Sequence, residues 1–306
     1  MIVIEPEQNS PENFRCGFAA IVGRPNVGKS TLMNRILGQK ISITSRRPQT
    51  TRHRIQGINT TEGCQVIYVD TPGLHKPSGK AMNRYLNQAA TTALQGVDVV
   101  LFVVAGNKWT DEDELVLERV KDAGAPVILV VNQIDRLEPE QLLPHLAKLS
   151  QRMDFHTIVP LSAKSGENVE SLETEVEKLM PCGPPHFPAD QVTDRSMRFI
   201  AAEIVREKLT RQLGQELPYE MTVEIESYEV EEGLVNIAAL IWVERDGQKA
   251  IVIGKGGAGL KKVGQEARID LENILEQKVF LQLWVKVKEG WSANERALRS
   301  LGYTDE

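Results

Sequence analysis

The chain has 306 residues, more than one ordinary core holds and enough for two domains. Apolar residues make up 41% and charged residues 25%, and no run approaches the eighteen apolar residues of a membrane-spanning helix. The net charge of −6 argues against nucleic acid for the chain as a whole, but it averages over faces. Arg245 to Lys262 holds five basic residues against one acid, Asp246, while Arg46 to Arg54 holds four arginines, His53 and no acid.

The first fifteen residues have neither the basic nor the apolar region of a secretory signal and read as a loose leader, residues 1–15. From residue 16 to 180, short apolar runs alternate with helical patterns. "CGFAAIVG", "CQVIYVD", "VDVVLFVVAG", "APVILVVN" and "TIVPLSA" read as buried strands. Helical periods fall between them, at about Lys29–Leu37, Met82–Gln95, Asp111–Asp122, Pro139–Arg152 and Val169–Leu179. This alternation predicts an α/β domain with a mostly parallel sheet covered on both faces. "HRIQGINT" lies close before "CQVIYVD" and is expected to pair with it as an antiparallel edge. Four prolines and a glycine in "PCGPPHFPAD", residues 181–190, mark the linker. The second domain, residues 191–306, has the order α-β-β-α-α-β. Its helices are Arg195–Leu213, a short one at Gln248–Ile253 and Leu260–Leu275, and its last strand lies in "VFLQLWVKVKEG". Cys16, Cys64 and Cys182 are odd in number and far apart, so they suggest buried apolar residues in a reducing compartment, with no disulfide or metal framework.

"GRPNVGKS", Gly23 to Ser30, has the spacing of a phosphate-binding loop between a strand and a helix. Gly23 and Gly28 let the backbone turn so that its N–H groups, with those of Asn26 and Val27, face a phosphate. Lys29 reaches the terminal phosphates, Ser30 offers a hydroxyl to Mg²⁺, and Thr31 continues the helix N-terminus. "DTPG" ends a strand: Asp70 suits the metal, and the Gly73 amide suits the γ-phosphate. "NQID" ends another. Its Asp135 can accept from both N1 and N2 of guanine, which selects GTP over ATP, with Asn132 and Gln133 beside it. "SAK", Ser162, Ala163 and Lys164, ends the next strand, where the Ala163 amide suits guanine O6. Any one of these could be an ordinary turn; four in order at strand ends make the site.

In the second domain, "GKGG", Gly254 to Gly257, is a G-x-x-G loop between two helical segments. Gly254, Gly256 and Gly257 would admit a nucleic-acid backbone, and Lys255, Lys261 and Lys262 would supply charge. Ile253, with Ile251, would offer apolar surface to bases. The alternative is a helical turn that needs its glycines for geometry alone, with the lysines as a solvated face.

These motifs resemble those of the Era family, in which a Ras-like GTPase domain precedes a type II KH domain of α+β fold. The likeness runs from about Cys16 to Tyr303 and includes "RRPQTTRHRIQGI", "YVDTPGLH", "VTDRSMRF", "ELPY", "LWVKVKEGW" and "ERALRSLGY". It implies GTP and GDP as ligands with Mg²⁺, and Thr51 or its neighbour Thr50 as the switch residue that meets metal and γ-phosphate. Lys29, Thr51 and Gly73 would then serve hydrolysis. It also implies single-stranded RNA from the 3′ end of small-subunit ribosomal RNA as partner, and a role in small-subunit maturation. Further implications are a cytoplasmic location, peripheral contact with the inner membrane face, and K⁺ held at Asn26; a monomer is expected. Two positions depart from common GTPase patterns. Gln133 replaces the lysine of Asn-Lys-x-Asp, and Leu74 stands where Ras-like proteins carry a water-orienting glutamine, the latter a trait of the Era family. Two other readings compete: a GTP-gated module whose second domain binds protein, and a weakened nucleotide binder. Nuclease-sensitive co-purification and GTP-against-ATP turnover separate them.

Overall fold

The computed structural model describes residues 13–45, 47, 49–74, 81–106, 108–213, 220–301 and 303. Most of the leader, "ELPY" at 216–219, Arg46 and Pro48 of the arginine-rich stretch, and His75 and Gly302 of the family motifs fall outside them.

Five apolar runs become strands. β1 (Arg15–Val22), β3 (Cys64–Asp70), β4 (Val99–Ala105), β5 (Val127–Asn132) and β6 (Thr157–Pro160) pair in parallel, with β2 (Ile55–Thr60) antiparallel to β3 at one edge. The order is β2-β3-β1-β4-β5-β6. Every residue of β3, β4 and β5 is buried, as continuous apolar runs in a doubly covered sheet require. The covering helices are α1 (Lys29–Ile36), α2 (Ala81–Thr92), α3 (Asp111–Lys121), α4 (Pro139–Leu149) and α5 (Val169–Leu179). α3 starts where Thr110 and Asp113 cap one another, the Asp113 carboxylate accepting from the Thr110 amide at 2.9 Å.

The chain then runs along the outer side of β2. The Ile58 amide donates to the Val192 carbonyl at 2.9 Å, and the Thr193 hydroxyl donates to the Gln56 carbonyl at 2.8 Å. The expected linker at 181–190 is tied down as well: the Cys16 amide donates to the Pro181 carbonyl, and Gln65 joins its side chain to the Phe187 backbone.

The second unit consists of α6 (Met197–Gln212), β7 (Met221–Glu231), β8 (Leu234–Val243), α7 (Asp246–Ile253), α8 (Ala258–Leu275) and β9 (Lys278–Val287). This is the anticipated α-β-β-α-α-β order. β7 and β8 form an antiparallel pair and β9 joins β8 in parallel. A short helix follows, α9 (Glu295–Ser300). Trp291 and Leu298 from this end pack with Met82 and Leu86 of α2 in one apolar cluster, so the two units share a buried seam. Among the described residues, no helix is long and apolar enough to cross a membrane.

Candidate functional site

The phosphate loop joins β1 to α1 at the centre of the sheet. Gly28 has φ 101°, open to glycine at little cost, and a Cβ there would lie 2.3 Å from the Asn132 amide nitrogen. Lys29 is buried and folds back over the loop, donating to the Gly23 carbonyl at 2.9 Å and the Arg24 carbonyl at 3.0 Å. Burial lowers its pKa to about 8, against the pull of Asp70.

Asp70, at the end of β3, is fully buried. Its Oδ2 accepts from the Ser30 hydroxyl at 2.7 Å and the Ser42 hydroxyl at 2.8 Å, with Thr51 Oγ1 at 3.5 Å. Ser30 and Thr51 hydroxyl oxygens are 2.8 Å apart. Thr50 turns away and bonds to Ser45 Oγ at 2.6 Å and to the Arg47 carbonyl at 2.7 Å. Of the two threonines, Thr51 is thus the one beside Ser30 and Asp70. Burial raises the Asp70 pKa, opposed by Lys29 and the three hydroxyls. Its Oδ1 is buried and has no hydrogen-bond partner among the described residues. An orphaned carboxylate oxygen beside two convergent hydroxyls is a hard oxygen set that fits Mg²⁺. Gly73 packs against the loop, since a Cβ there would lie 2.8 Å from the Pro25 nitrogen. Leu74 is buried in the apolar cluster with Val22 and Phe102, so nothing at this position orients water. Asn26, Gly28, Ser30, Thr31, Thr51 and Gly73 line one pocket together with Lys29.

Asn132 braces the guanine side. Its Nδ2 donates to the Val27 carbonyl at 2.7 Å, and its Oδ1 accepts from the Gln133 amide at 2.7 Å and the Ala163 amide at 3.0 Å. The Ala163 amide, expected at guanine O6, is thus engaged by Asn132. Asp135 is exposed, with Oδ1 held by the Ser162 hydroxyl at 2.8 Å. The Gln133 backbone is left-handed (φ 66°), as is that of Asn26 (φ 64°). Gln133 Nε2 donates to the Asn26 carbonyl at 3.2 Å, and its Oε1 accepts from Arg136 at 2.9 Å. Arg35 of α1 donates to the carbonyls of Ala163 and Lys164, and the Lys164 side chain is exposed. The motifs gave no sign of Asn34, Ser42 or Arg35. Asn34 accepts from the amides of Ile41 and Ser42, both at 2.9 Å, and so sets Ser42 on Asp70.

The G-x-x-G loop lies between α7 and α8. Gly254, Gly256 and Gly257 have φ of 72°, 60° and 80°. A Cβ on Gly254 would lie 2.9 Å from the Gly259 nitrogen, whereas Gly256 and Gly257 face open space. Gly254 therefore serves close packing, whereas Gly256 and Gly257 leave the loop surface open. Lys255, Lys261 and Lys262 are exposed. A groove beside the loop is lined by Leu260, Lys261, Gly264, Arg268, Leu281 and Leu283. Apolar surface for bases was expected from Ile251 and Ile253. Ile251 is exposed, Ile253 packs on the core, and the groove takes its apolar lining from α8 and β9 instead. Neighbouring turns of α8 and alternate residues of β9 meet only in the fold, which hid them.

A family model described as 50S ribosome-binding GTPase matches residues 18–133, and a KH domain model matches 216–292. GTPase Era from Actinobacillus pleuropneumoniae is 57% identical over 98% of this chain and 99% of its own length. The chain belongs to the Era family of GTPases. GTPase Era from a Pseudomonas fluorescens strain is 59% identical over 95% of this chain and 97% of its own. Among solved structures, an Era variant of Aquifex aeolicus bound to GDP and AlF4⁻ superposes with a TM-score of 0.92 at 37% identity, covering 95% of this chain and 100% of that one. Another, at TM-score 0.92 and 37% identity over 95% of this chain and 99% of that one, is Era in complex with MgGDPNP and nucleotides 1506–1542 of 16S ribosomal RNA. This Era-family chain keeps the same architecture across both units.

Proposed function

We propose that this chain is a GTP-hydrolysing switch that binds the single-stranded 3′ end of small-subunit ribosomal RNA and assists maturation of that subunit. The observation that carries it is the convergence of Ser30, Thr51 and Asp70 beside Lys29, with Asp135 held ready for guanine. Gly23, Asn26, Val27, Gly28 and Thr31 line the phosphate path. Ser30 and Thr51, with Asp70, would hold Mg²⁺, which supplies charge neutralisation on the β- and γ-phosphates. Lys29 places a cation at the same oxygens, and the Gly73 amide donates to the γ-phosphate. Water attacks the γ-phosphorus, the bond to the β–γ bridging oxygen breaks, and GDP and phosphate leave. Asp135 accepts from guanine N1 and N2, with Ser162, Ala163 and Lys164 closing that side. We assign Asn26 a K⁺ ion, so turnover is expected to be faster in K⁺ than in Na⁺ and to be reduced by Asn26→Ala.

The loop at 254–257 clamps the RNA backbone, with Lys255, Lys261 and Lys262 as counter-charges and the Leu260, Leu281 and Leu283 groove facing bases. Peripheral membrane contact rests on the family resemblance, a cytoplasmic location also on the scattered cysteines, and a monomeric state is an expectation. The test has two parts. Turnover of GTP and not ATP is expected with Mg²⁺. Fluorescence anisotropy with a short strand copying the rRNA 3′ end should show binding that Gly256→Asp abolishes while GTP affinity stays. Equal ATP turnover, or unchanged RNA affinity in folded Gly256→Asp, would refute the corresponding half.

A further inference from the structure

Thr51 lies beside Ser30 and Asp70, and the backbone on both sides of it is tied to the second unit. On one side, Arg206 of α6 donates to the Thr50 carbonyl while forming a buried two-bond pair with Glu203, at 2.7 and 2.6 Å. On the other side, the buried Arg52 guanidinium donates from Nη1 to the Met221 carbonyl at 2.8 Å and to the Tyr303 hydroxyl at 3.2 Å. His53 stacks on the Tyr303 ring, with centroids 4.7 Å apart. The same ring meets Tyr85 of α2 edge-on at 5.7 Å, and α2 begins a few residues after Gly73 and Leu74. Tyr303 thus touches the segments leading from both sides of the phosphate pocket. It is 2% exposed, and its hydroxyl is shared between Arg52 and Thr222, the latter at 2.9 Å. A residue that served only to pack the last helix would need the ring and not the hydroxyl, because a buried hydroxyl is costly unless bonded.

We propose that Tyr303 is a positioning residue for GTP hydrolysis: through Arg52 and His53 it holds Thr51 against Ser30 and Asp70, so a residue beyond α9 of the second unit completes the nucleotide site. This rests on the GTPase reading above. A displacement of about 1 Å in a group that contacts the reacting centre can cost up to roughly a hundredfold in rate. The same contacts matter less for GDP, which has no γ-phosphate for Thr51 to meet.

The experiment uses the full chain and compares Tyr303→Phe, which deletes only the hydroxyl, with Tyr303→Leu, which deletes the ring. Tyr303→Phe should lower kcat for GTP about three- to tenfold, the rate equivalent of one hydrogen bond. Tyr303→Leu should lower it further. The Mg²⁺ concentration for half-maximal turnover should rise in both, and GDP affinity should stay within about twofold, since one contact absent from the GDP state is removed. Independently of activity, amide hydrogen exchange over residues 49–55 of the nucleotide-free chain should quicken, while exchange in α5 stays as in the parent. Parental kcat, Mg²⁺ dependence and exchange in a folded Tyr303→Leu chain would overturn the proposal. If Tyr303→Leu does not fold, Tyr303→Phe decides alone: unchanged turnover and exchange overturn it. If the parent chain itself does not turn over GTP, the GTPase reading fails instead.

Discussion

Replacing Asn132 with alanine should destabilise the chain even with no nucleotide bound. The side chain is 2% exposed and joins three segments: the Val27 carbonyl of the phosphate loop, the Gln133 amide at the end of β5, and the Ala163 amide beyond β6. Alanine leaves one acceptor and two donors without this partner. Each orphaned buried group costs about 1–3 kcal/mol, and water entering the gap recovers part of it, so the loss should be about 3 kcal/mol. Urea denaturation of the nucleotide-free chain, followed by circular dichroism, measures it. Asp135→Ala is the internal control: Asp135 is exposed and bonds only Ser162 among the described contacts, so its loss should stay near 0.5 kcal/mol while selection for guanine disappears. A loss below about 1 kcal/mol in Asn132→Ala would refute the reasoning, because the three bonds would then not be structural.

Gln133→Lys should tighten GTP binding by about 1 kcal/mol, read by titration calorimetry, since a longer cationic stem covers more of the base. Asp135→Asn should move preference from GTP to xanthosine triphosphate in competition binding. GDP affinity should hold steady from pH 7 to about 8 and then fall, by up to about tenfold per pH unit, because Lys29 loses its proton near pH 8 in the free chain while phosphate favours the charged form. Lys29→Met should bind weakly with no such fall. His53 has its pKa lowered to about 4 by burial, with Arg206, Arg195 and Arg52 adding to the shift and Glu203 opposing it. Unfolding restores a value near 6.5, so between about pH 4 and 6.5 the unfolded chain binds a proton that the folded chain lacks. Stability from this group is therefore intact above that window and declines by about 1.4 kcal/mol per unit as pH falls through it. Denaturation midpoints of His53→Phe against the parent should show the flatter profile.

The strands were legible because β3, β4 and β5 are buried on both faces and so read as unbroken apolar runs. The hairpin of β2 with β3 was legible from its short connection, and the order of the second unit from its punctuation. α9 was not: six residues carry too little period to register. The half of the candidate site that would face the ligand lies in contiguous motifs, whose spacing can be read along the chain. The supporting half does not. Asn34 and Ser42, Arg35 and Ala163, Arg206 and Thr50 are joined by hydrogen bonds across the fold, and no local pattern records a partner up to 156 residues away. The choice between Thr50 and Thr51 belongs to the same class. Both have the right side chain, and only the backbone path over Asp70 separates them.

The run of chain along the outer side of β2 bears on how this protein can be dissected. The bonds from Ile58 to Val192 and from Thr193 to Gln56 occupy backbone groups that an edge strand would otherwise present to a neighbour. A fragment ended at residue 180, where composition suggests a clean cut, would leave β2 bare beside the wholly buried β3. Such a fragment is expected to self-associate through its edge and to express poorly, whereas one extended to residue 195 carries its own protective strip.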